Sequence, residues 1–129
     1  MKYEITIGLP VYNEKKNIEN VLKNIFEQNF KKFILIISDN HSDDGTYEIC
    51  KKWAKKNKQI KLFRQKKHVI RGINFLSVYK RCKTSYFVWF AADDKRSKNF
   101  LSENFKFLEK NPNFISSCSE SIIYIKKKK

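Results

Sequence analysis

The sequence predicts an α/β fold whose core is an open, mostly parallel sheet with helices on both faces. Along the 129 residues, short apolar runs alternate with longer stretches that place apolar residues at helical spacing. Some of the apolar runs are unbroken, as in central strands that are covered on both faces. Strands that alternate with helices of this length are joined by right-handed crossovers, which makes neighbouring strands parallel.

The first half of the chain predicts two strands and two helices. Residues 5–9 form the first strand, which we expect Pro10 to end. Residues 15–29 carry apolar side chains at helical spacing, with Asn13 as the N-cap. The unbroken run 33–37 is the second strand. After a polar loop at 38–45, the second helix shows its apolar stripe at Ile49, Cys50, Trp53 and Ala54.

The second half continues the same alternation. Residues 60–63 predict a short third strand, and residues 86–90 give the strongest strand signal in this half. A third helix is predicted over 71–83 and a fourth helix follows the fourth strand. The apolar residues of these helices are Ile73, Leu76 and Tyr79 in the third, and Leu101, Phe105 and Leu108 in the fourth.

We expect one domain over residues 1–125, followed by a lysine tail at 126–129. Further strands are expected to begin at 114–115 and 122–125. No stretch approaches the roughly 18 apolar residues of a membrane span, and the N-terminus lacks the apolar run of a signal peptide. The sequence therefore predicts a cytoplasmic protein.

The charge is large and unevenly distributed, and it leaves two interpretations open. Residues 1–50 carry six lysines and eight acidic residues, a net charge of −2. Residues 51–129 carry 22 lysines or arginines and five acidic residues, a net charge of +17. The lysines are either the solvated surfaces of amphipathic helices or a basic face that contacts an anionic inner membrane. No nucleic-acid partner is predicted, because the basic residues fit no reading helix or aromatic platform.

The cysteines predict no shared chemistry. Cys50, Cys82 and Cys118 are odd in number, far apart and without C-x-x-C spacing. A buried free thiol behaves as a small hydrophobic group. A zinc site assembled from these residues with His41 and His68 is therefore not expected.

Two acidic clusters follow predicted strands, where ligands bind in parallel sheets. In the loop 38–45, Asp43 or Asp44 is expected to cap the next helix and Gly45 to permit a tight turn. Asp39 has no such role, and its carboxylate is suited to accept a hydrogen bond from the imide N–H of a uracil or thymine ring. The pair at 93–94 either begins a loop or binds a divalent cation together with substrate phosphates.

The motifs in the segments 7–14, 36–46 and 89–94 resemble the family 2 glycosyltransferases. They read IGLPVYNE, IISDNHSDDGT and WFAADD, in the order and at the spacing of that family. The similarity spans roughly residues 3–115. It implies a GT-A-type, Rossmann-like fold with an incomplete C-terminal half, and transfer of a sugar from a nucleotide-diphosphate sugar, most often a UDP-sugar, to a saccharide or lipid-linked acceptor with inversion. Bacterial surface polysaccharide or lipo-oligosaccharide assembly is the expected pathway.

The resemblance also implies roles for individual residues. Pro10, Val11, Tyr12 and Glu14 would line the base and ribose, and Asp39 would hydrogen-bond the uracil ring. Asp93, with Asp94, would hold Mg²⁺ or Mn²⁺ on the diphosphate, although Ala91 replaces the first acid of the family's D-x-D motif. Arg71 and Asn74 fall in the region that faces the donor, where a solvated helix-start charge is an equal explanation for Arg71.

The general base that inversion requires is not identified by the sequence. After Asp94 the acidic residues are Glu103, Glu109 and Glu120, of which two lie on the predicted fourth helix and the third comes too early for the family's base. Complete members continue for about another half-domain, so we expect a truncated or frame-shifted product, since four lysine codons can form a slippery A-rich tract.

Two alternative functions remain at this point. The first is a catalytically inactive remnant that binds nucleotide sugars. The second, which the lack of a reading helix or aromatic platform disfavours, is a basic nucleic-acid-binding protein whose binding would collapse with salt. A nucleotidyltransferase is disfavoured because the first strand lacks a glycine-rich phosphate loop and offers only Gly8.

Overall fold

The structure, a computed structural model, describes residues 2–119 and contains one parallel sheet with helices on both faces. The four strands lie in the order β3-β2-β1-β4, and every neighbouring pair is parallel. The predicted fold class is confirmed. The strands are β1 (Ile5–Val11), β2 (Phe33–Asp39), β3 (Ile60–Arg64) and β4 (Tyr86–Trp89), and the helices are α1 (Ile18–Phe26), α2 (Thr46–Lys56), α3 (Arg71–Tyr79) and α4 (Phe100–Lys110).

The strand order divides the helices between the two faces. The chain moves outward from β1 to β3 and then crosses back to the far side of β1 as β4. Right-handed crossovers therefore place α1 and α2 on one face and α3 on the other. The reversal leaves a crevice between the carboxyl ends of β1 and β4, which is where open α/β sheets bind ligands.

The core lies between α1 and the face that β1 and β2 present to it. Ile7, Leu9, Leu35 and Ile37 are fully buried, and they point to the same face because side chains alternate along a strand. The stripe of α1 packs onto this face, so the predicted amphipathic helix is confirmed. Its buried apolar members are Ile18, Val21, Leu22 and Ile25.

Pro10 does not end the first strand, which continues to Val11. The backbone groups of the even-numbered residues face β4, because the Gly8 carbonyl accepts from the Phe90 N–H. Pairing with β4 stops at Gly8, whereas pairing with β2 continues to Val11. The missing N–H of Pro10 therefore falls where no strand needs it, as proline in a sheet requires.

The predicted N-cap of the first helix is also wrong. Asn13 has φ 49°, in the left-handed region, and α1 begins five residues later at Ile18, with Asn17 at the cap position. The Asn13 side chain instead accepts a hydrogen bond from the Asp43 N–H, at 3.0 Å. Asn13 therefore joins two loops at the carboxyl end of the sheet.

Several other boundaries shift because strand pairing extends beyond the apolar runs. β2 includes Ser38 and Asp39, which pair with β1 on one side and β3 on the other.

The strand predicted at 114–115 does not form, since Phe114 closes a turn after α4 and Ile115 is fully exposed. The predicted strand at 122–125 lies outside the described residues.

The helix α3 is confirmed, but it ends at Tyr79, four residues before the predicted end, and its apolar stripe does not face the sheet. Ile73, Leu76 and Tyr79 are each about half exposed. The side packed on the sheet carries the buried Asn74 and Val78 instead. Packing against β1 and β2 therefore selected a different face from the one the apolar spacing indicates.

Candidate functional site

A cavity of about 500 Å³ opens at the carboxyl end of the sheet, in the crevice between β1 and β4. Its walls come from the end of β1 and the following loop, from the start of α3, and from the end of β4 with the loop that follows it. Eight of the nine residues predicted to bind donor or metal line this cavity. They are Pro10, Val11, Tyr12, Glu14, Arg71, Asn74, Asp93 and Asp94.

The ninth, Asp39, lies outside the cavity lining and is completely buried at the end of β2. Its Oδ2 accepts from the Ser42 N–H at 3.0 Å and lies 3.3 Å from Nε of Arg64. Its Oδ1 has no hydrogen-bond partner within the described residues. A buried carboxylate oxygen without a partner is costly, so this atom is suited to receive a donor from a ligand.

The loop after β2 is held by hydrogen bonds from backbone N–H groups to side chains. Of the two predicted capping acids it is Asp44 that hydrogen-bonds the start of α2, because its carboxylate accepts from the Thr46 N–H at 3.0 Å. The same carboxylate accepts from the Lys15 N–H at 3.0 Å. Gly45 has φ 101°, which confirms the predicted tight turn. Burial acts against ionisation of Asp44, but the bonds from Thr46 and Lys15 outweigh it and lower the pKa of this carboxyl.

Asn74 is held in place by protein groups on the floor of the cavity. Its Oδ1 accepts from the Ser38 hydroxyl at 2.8 Å and from the Gln65 amide at 3.3 Å. Its Nδ2 donates to the Ser38 carbonyl at 3.1 Å. The side chain is 3% exposed. Asn74 therefore fixes α3 to the end of β2, whatever contact it makes with a ligand.

An aromatic pair forms one wall of the cavity. Tyr12 is 44% exposed, and its ring centroid lies 4.3 Å from that of His68. His68 is placed by Asn40, whose amide bonds both the N–H and the carbonyl of Val69 at 2.9 and 2.8 Å. Sequence reasoning missed His68 and Asn40 as cavity residues. The segment that carries His68 matches no motif, and Asn40 lies within the 36–46 motif but was given no role of its own.

The acidic pair at the end of β4 is asymmetric. Asp93 is exposed, and within residues 2–119 its carboxylate makes no hydrogen bond or ion pair. Asp94 Oδ2 accepts from the Ala91 N–H at 3.2 Å and lies 3.6 Å from the Arg96 guanidinium. Asp93 is therefore the free carboxylate of the pair.

Arg96 brings a fixed positive charge into the same cavity. Its guanidinium lies 4.4 Å from the Phe90 ring centroid and 4.2 Å from that of Phe100, and it donates to the Trp89 carbonyl at 2.9 Å. Burial lowers the pKa of Arg96 and the neighbouring Asp94 opposes that shift, but an arginine stays protonated in proteins. The only sequence signal for this role was the position of Arg96 two residues after the acidic pair.

The sequence matches one known protein family over most of its length. The model of Glycosyl transferase family 2 matches residues 6–125. The chain belongs to this family.

Relatives and solved structures agree with the family assignment. An uncharacterized glycosyltransferase of Rickettsia conorii is 31% identical over 114 residues, which are 88% of this chain and 18% of the relative. S. aureus TarS 1–349 in complex with UDP-GlcNAc has a TM-score of 0.79 at 21% identity, over 84% of this chain and 32% of TarS 1–349. Mannosyltransferase PcManGT from Pyrobaculum calidifontis, in complex with GDP-Man and Mn²⁺, has a TM-score of 0.75 at 24% identity, over 84% and 33%.

These similarities confirm the GT-A-type fold. They also show that this family 2 chain spans about a third or less of the proteins named above. No helix among residues 2–119 has the length and apolarity needed to cross a membrane.

In this family 2 chain, α1 and the turn after it hold the loop that carries the acidic pair. Asn24 exchanges two hydrogen bonds with the Arg96 backbone, at 2.8 and 2.9 Å. Gln28, fully buried, donates to the Ser97 carbonyl at 2.8 Å and accepts from the Leu101 N–H at 3.2 Å. Sequence reasoning missed Asn24 and Gln28, and their only signal was two amide side chains four residues apart beside the apolar stripe of α1.

The three cysteines are free thiols that differ in their burial. Cys50 is buried, Cys82 is half-buried and Cys118 is exposed. Burial, with a smaller effect from the Asp39 carboxylate, raises the pKa of Cys50 to about 12. In the part of the chain that the structure describes, no three His, Cys, Asp or Glu side chains group to hold a metal ion.

Proposed function

We propose that the chain binds a nucleotide-diphosphate sugar, with UDP as the nucleotide, in the cavity between β1 and β4. The observation that carries this proposal is the convergence in one cavity of eight residues from three separate segments of sequence. Solved structures of the same fold include complexes with UDP-GlcNAc and with GDP-Man and Mn²⁺.

The nucleobase end of the site is the Tyr12 side of the cavity. An exposed aromatic ring there offers a stacking surface to a base. The unpartnered Oδ1 of Asp39 supplies the one acceptor that a uracil imide N–H needs. Since Asp39 is fully buried, the ligand reaches this atom only after a local shift of the groups that cover it.

The diphosphate end lies at the acidic pair, and its residues fit a divalent cation. Hard cations such as Mg²⁺ bind through one or two protein carboxylates and complete their shell with substrate phosphates and water. Asp93 supplies a free carboxylate and Asp94 a second one that Arg96 partly neutralises. When bound, such a cation offsets the charge that develops on a departing diphosphate. Arg71 and Arg96 bring further positive charge to the same cavity.

The reaction proposed for the protein is inverting transfer of the sugar to a saccharide or lipid-linked acceptor. Inversion needs a base on the acceptor hydroxyl. Glu103 and Glu109 lie on α4 outside the cavity lining, and they engage Lys106 and Tyr86 instead. Glu120 lies outside the described residues. The base is therefore not assigned to any residue between 2 and 119.

The test is calorimetric titration of UDP into the folded chain, with Mn²⁺ and with a chelator, beside Asp93→Ala. Asp43→Ala is the matched control, because Asp43 is an exposed acid outside the cavity lining. We expect binding that requires the metal, disappears in Asp93→Ala and persists in Asp43→Ala, with UDP preferred to GDP. Absence of UDP binding by the folded chain would refute the proposal.

A second candidate is a nucleotide-sugar-binding protein without transferase activity. The family match and the solved structures do not favour this candidate over sugar transfer. Metal-dependent UDP binding without release of UDP from a UDP-sugar in the presence of acceptors would select this candidate over the enzyme.

A further inference from the structure

The outward face of α3 is apolar. Ile73, Leu76 and Tyr79 follow one another at three-residue spacing and are 50%, 47% and 57% exposed, and Ile70, just before the helix, is 71% exposed. In an ordinary surface helix these positions carry polar side chains. Contiguous exposed apolar side chains with a polar rim mark interaction sites, whereas isolated ones do not.

The surroundings of this face are strongly basic. Residues 65–92, which include α3 and the loops on either side of it, contain six lysines or arginines and no acidic residue. Arg81, two residues after α3, stacks on Phe63 of the edge strand β3, with its guanidinium carbon 4.2 Å from the ring centroid, and Phe63 is itself 37% exposed. The exposed basic side chains closest in sequence to the stripe are Lys66, Lys67, Arg71, Lys80, Arg81 and Lys83.

We propose that this α3 surface, defined as Phe63, Ile70, Ile73, Leu76 and Tyr79 with the basic side chains around them, docks on an anionic lipid bilayer. Apolar side chains enter the headgroup boundary, while lysines and arginines meet the negative lipid surface. A nucleic acid would use the charges but leave the apolar stripe exposed to water. A bilayer satisfies both features at once, which decides between the two.

The position of α3 connects this surface to the cavity. Arg71, in the first turn of α3, lines the cavity, so the docking surface begins at the cavity mouth. If the proposed donor site is correct, docking brings that site to the bilayer, where a lipid-linked acceptor resides. The lipid contact itself does not depend on donor binding and is tested separately.

The experiment is co-sedimentation of the full chain with vesicles of equal amounts of phosphatidylcholine and phosphatidylglycerol, and with phosphatidylcholine alone. We expect binding to the anionic vesicles only. Lys80→Gln should weaken it about fivefold, since one basic charge near the surface is worth about that factor. Leu76→Gln should weaken it by a similar factor or more, since binding scales with the apolar area that enters the headgroup boundary. Matched controls are Phe107→Gln, an apolar side chain 42% exposed on α4, and Lys51→Gln on α2, across the sheet.

A second readout is independent of the weakened variants. Tyr79→Trp places an indole on the stripe, and its fluorescence should shift to the blue on anionic vesicles, whereas Phe107→Trp should not respond. Circular dichroism of each variant confirms that the fold is retained. The proposal is overturned by no binding of the parent chain, by equal losses in Lys80→Gln and Lys51→Gln, or by a stripe that proves to mediate self-association in sedimentation.

Discussion

Replacing Gln28 by methionine tests how the loop that carries the acidic pair is held. The side chain is fully buried, donates to the Ser97 carbonyl and accepts from the Leu101 N–H. That N–H is one of the first donors of α4, which have no partner inside their own helix. Asn99, at the cap position of α4, makes no side-chain cap hydrogen bond, so Gln28 takes over this role from outside the helix.

The expected loss follows from these two bonds. Methionine has a similar volume, so the cavity cost is small, but the buried Leu101 N–H is left without a partner. An unsatisfied buried donor costs about 1–3 kcal/mol, and the lost bond to Ser97 adds about 1 kcal/mol. We therefore expect the free energy of unfolding to fall by about 2–4 kcal/mol. For a domain of this size that corresponds to a decrease in Tm of about 10 °C.

Urea denaturation and thermal melting followed by circular dichroism measure this loss. Gln59→Met is the matched control, because Gln59 donates to the carbonyls of Lys31 and Phe33 but accepts from no buried N–H. The control should lose about 1 kcal/mol. Equal losses in the two variants would show that the hydrogen bond from the Leu101 N–H to Gln28 has no special energetic role. Gln28→Met should also weaken UDP binding, since the loop after Asp93 would be released.

Two further predictions concern the core. Gly8→Ala should lower the free energy of unfolding by about 1–3 kcal/mol, because the added Cβ would lie 2.6 Å from Cζ of Phe87 and 2.8 Å from Cγ1 of Val78. Gly72→Ala should cause no such loss in the same urea titration, because among the described residues its added Cβ would meet no packed atom within 4 Å. The raised pKa of Cys50, from 9.0 to about 12, means that the unfolded chain loses this thiol proton first as pH rises. Stability should therefore decrease by about 1 kcal/mol between about pH 8 and about pH 10, and a Cys50→Ala chain with the same pH dependence of its urea midpoint would contradict the assignment.

The site could be predicted in outline, because its residues are tied to strand ends. The carboxyl ends of β1, β2 and β4 meet at one edge of the sheet, so motifs far apart in sequence converge by topology alone. The structure brings Tyr12, Glu14 and Asp93 together in the cavity lining, as this topology predicts. Topology could not show that Asp39 is fully buried outside the cavity lining, because burial of this carboxylate depends on the Arg64 side chain and the Ser42 N–H that pack against it.

Residues that tertiary contacts bring to the cavity cannot be recognised from their own sequence neighbourhood. Arg96 belongs to the cavity because two phenylalanine rings and the Trp89 carbonyl fix its guanidinium, and His68 because Asn40 anchors the segment that carries it. Asn13 illustrates the same limit at a helix start. Its side-chain oxygen accepts from the Asp43 N–H in the loop after β2. The residue adopts a left-handed conformation there, and the helix begins later.

The sequence by itself determined the alternation of strands and helices, the parallel sheet and the edge where the motifs meet. These depend on periodicity and on chain connectivity, which are local properties and rules of handedness. The tertiary structure alone decided the strand ends, the partners of Asp39 and Asp94, and the outward orientation of the α3 stripe. Each of these depends on which surface another segment has already occupied. On α3 the side with Asn74 packs on β1 and β2, which leaves Ile73, Leu76 and Tyr79 exposed.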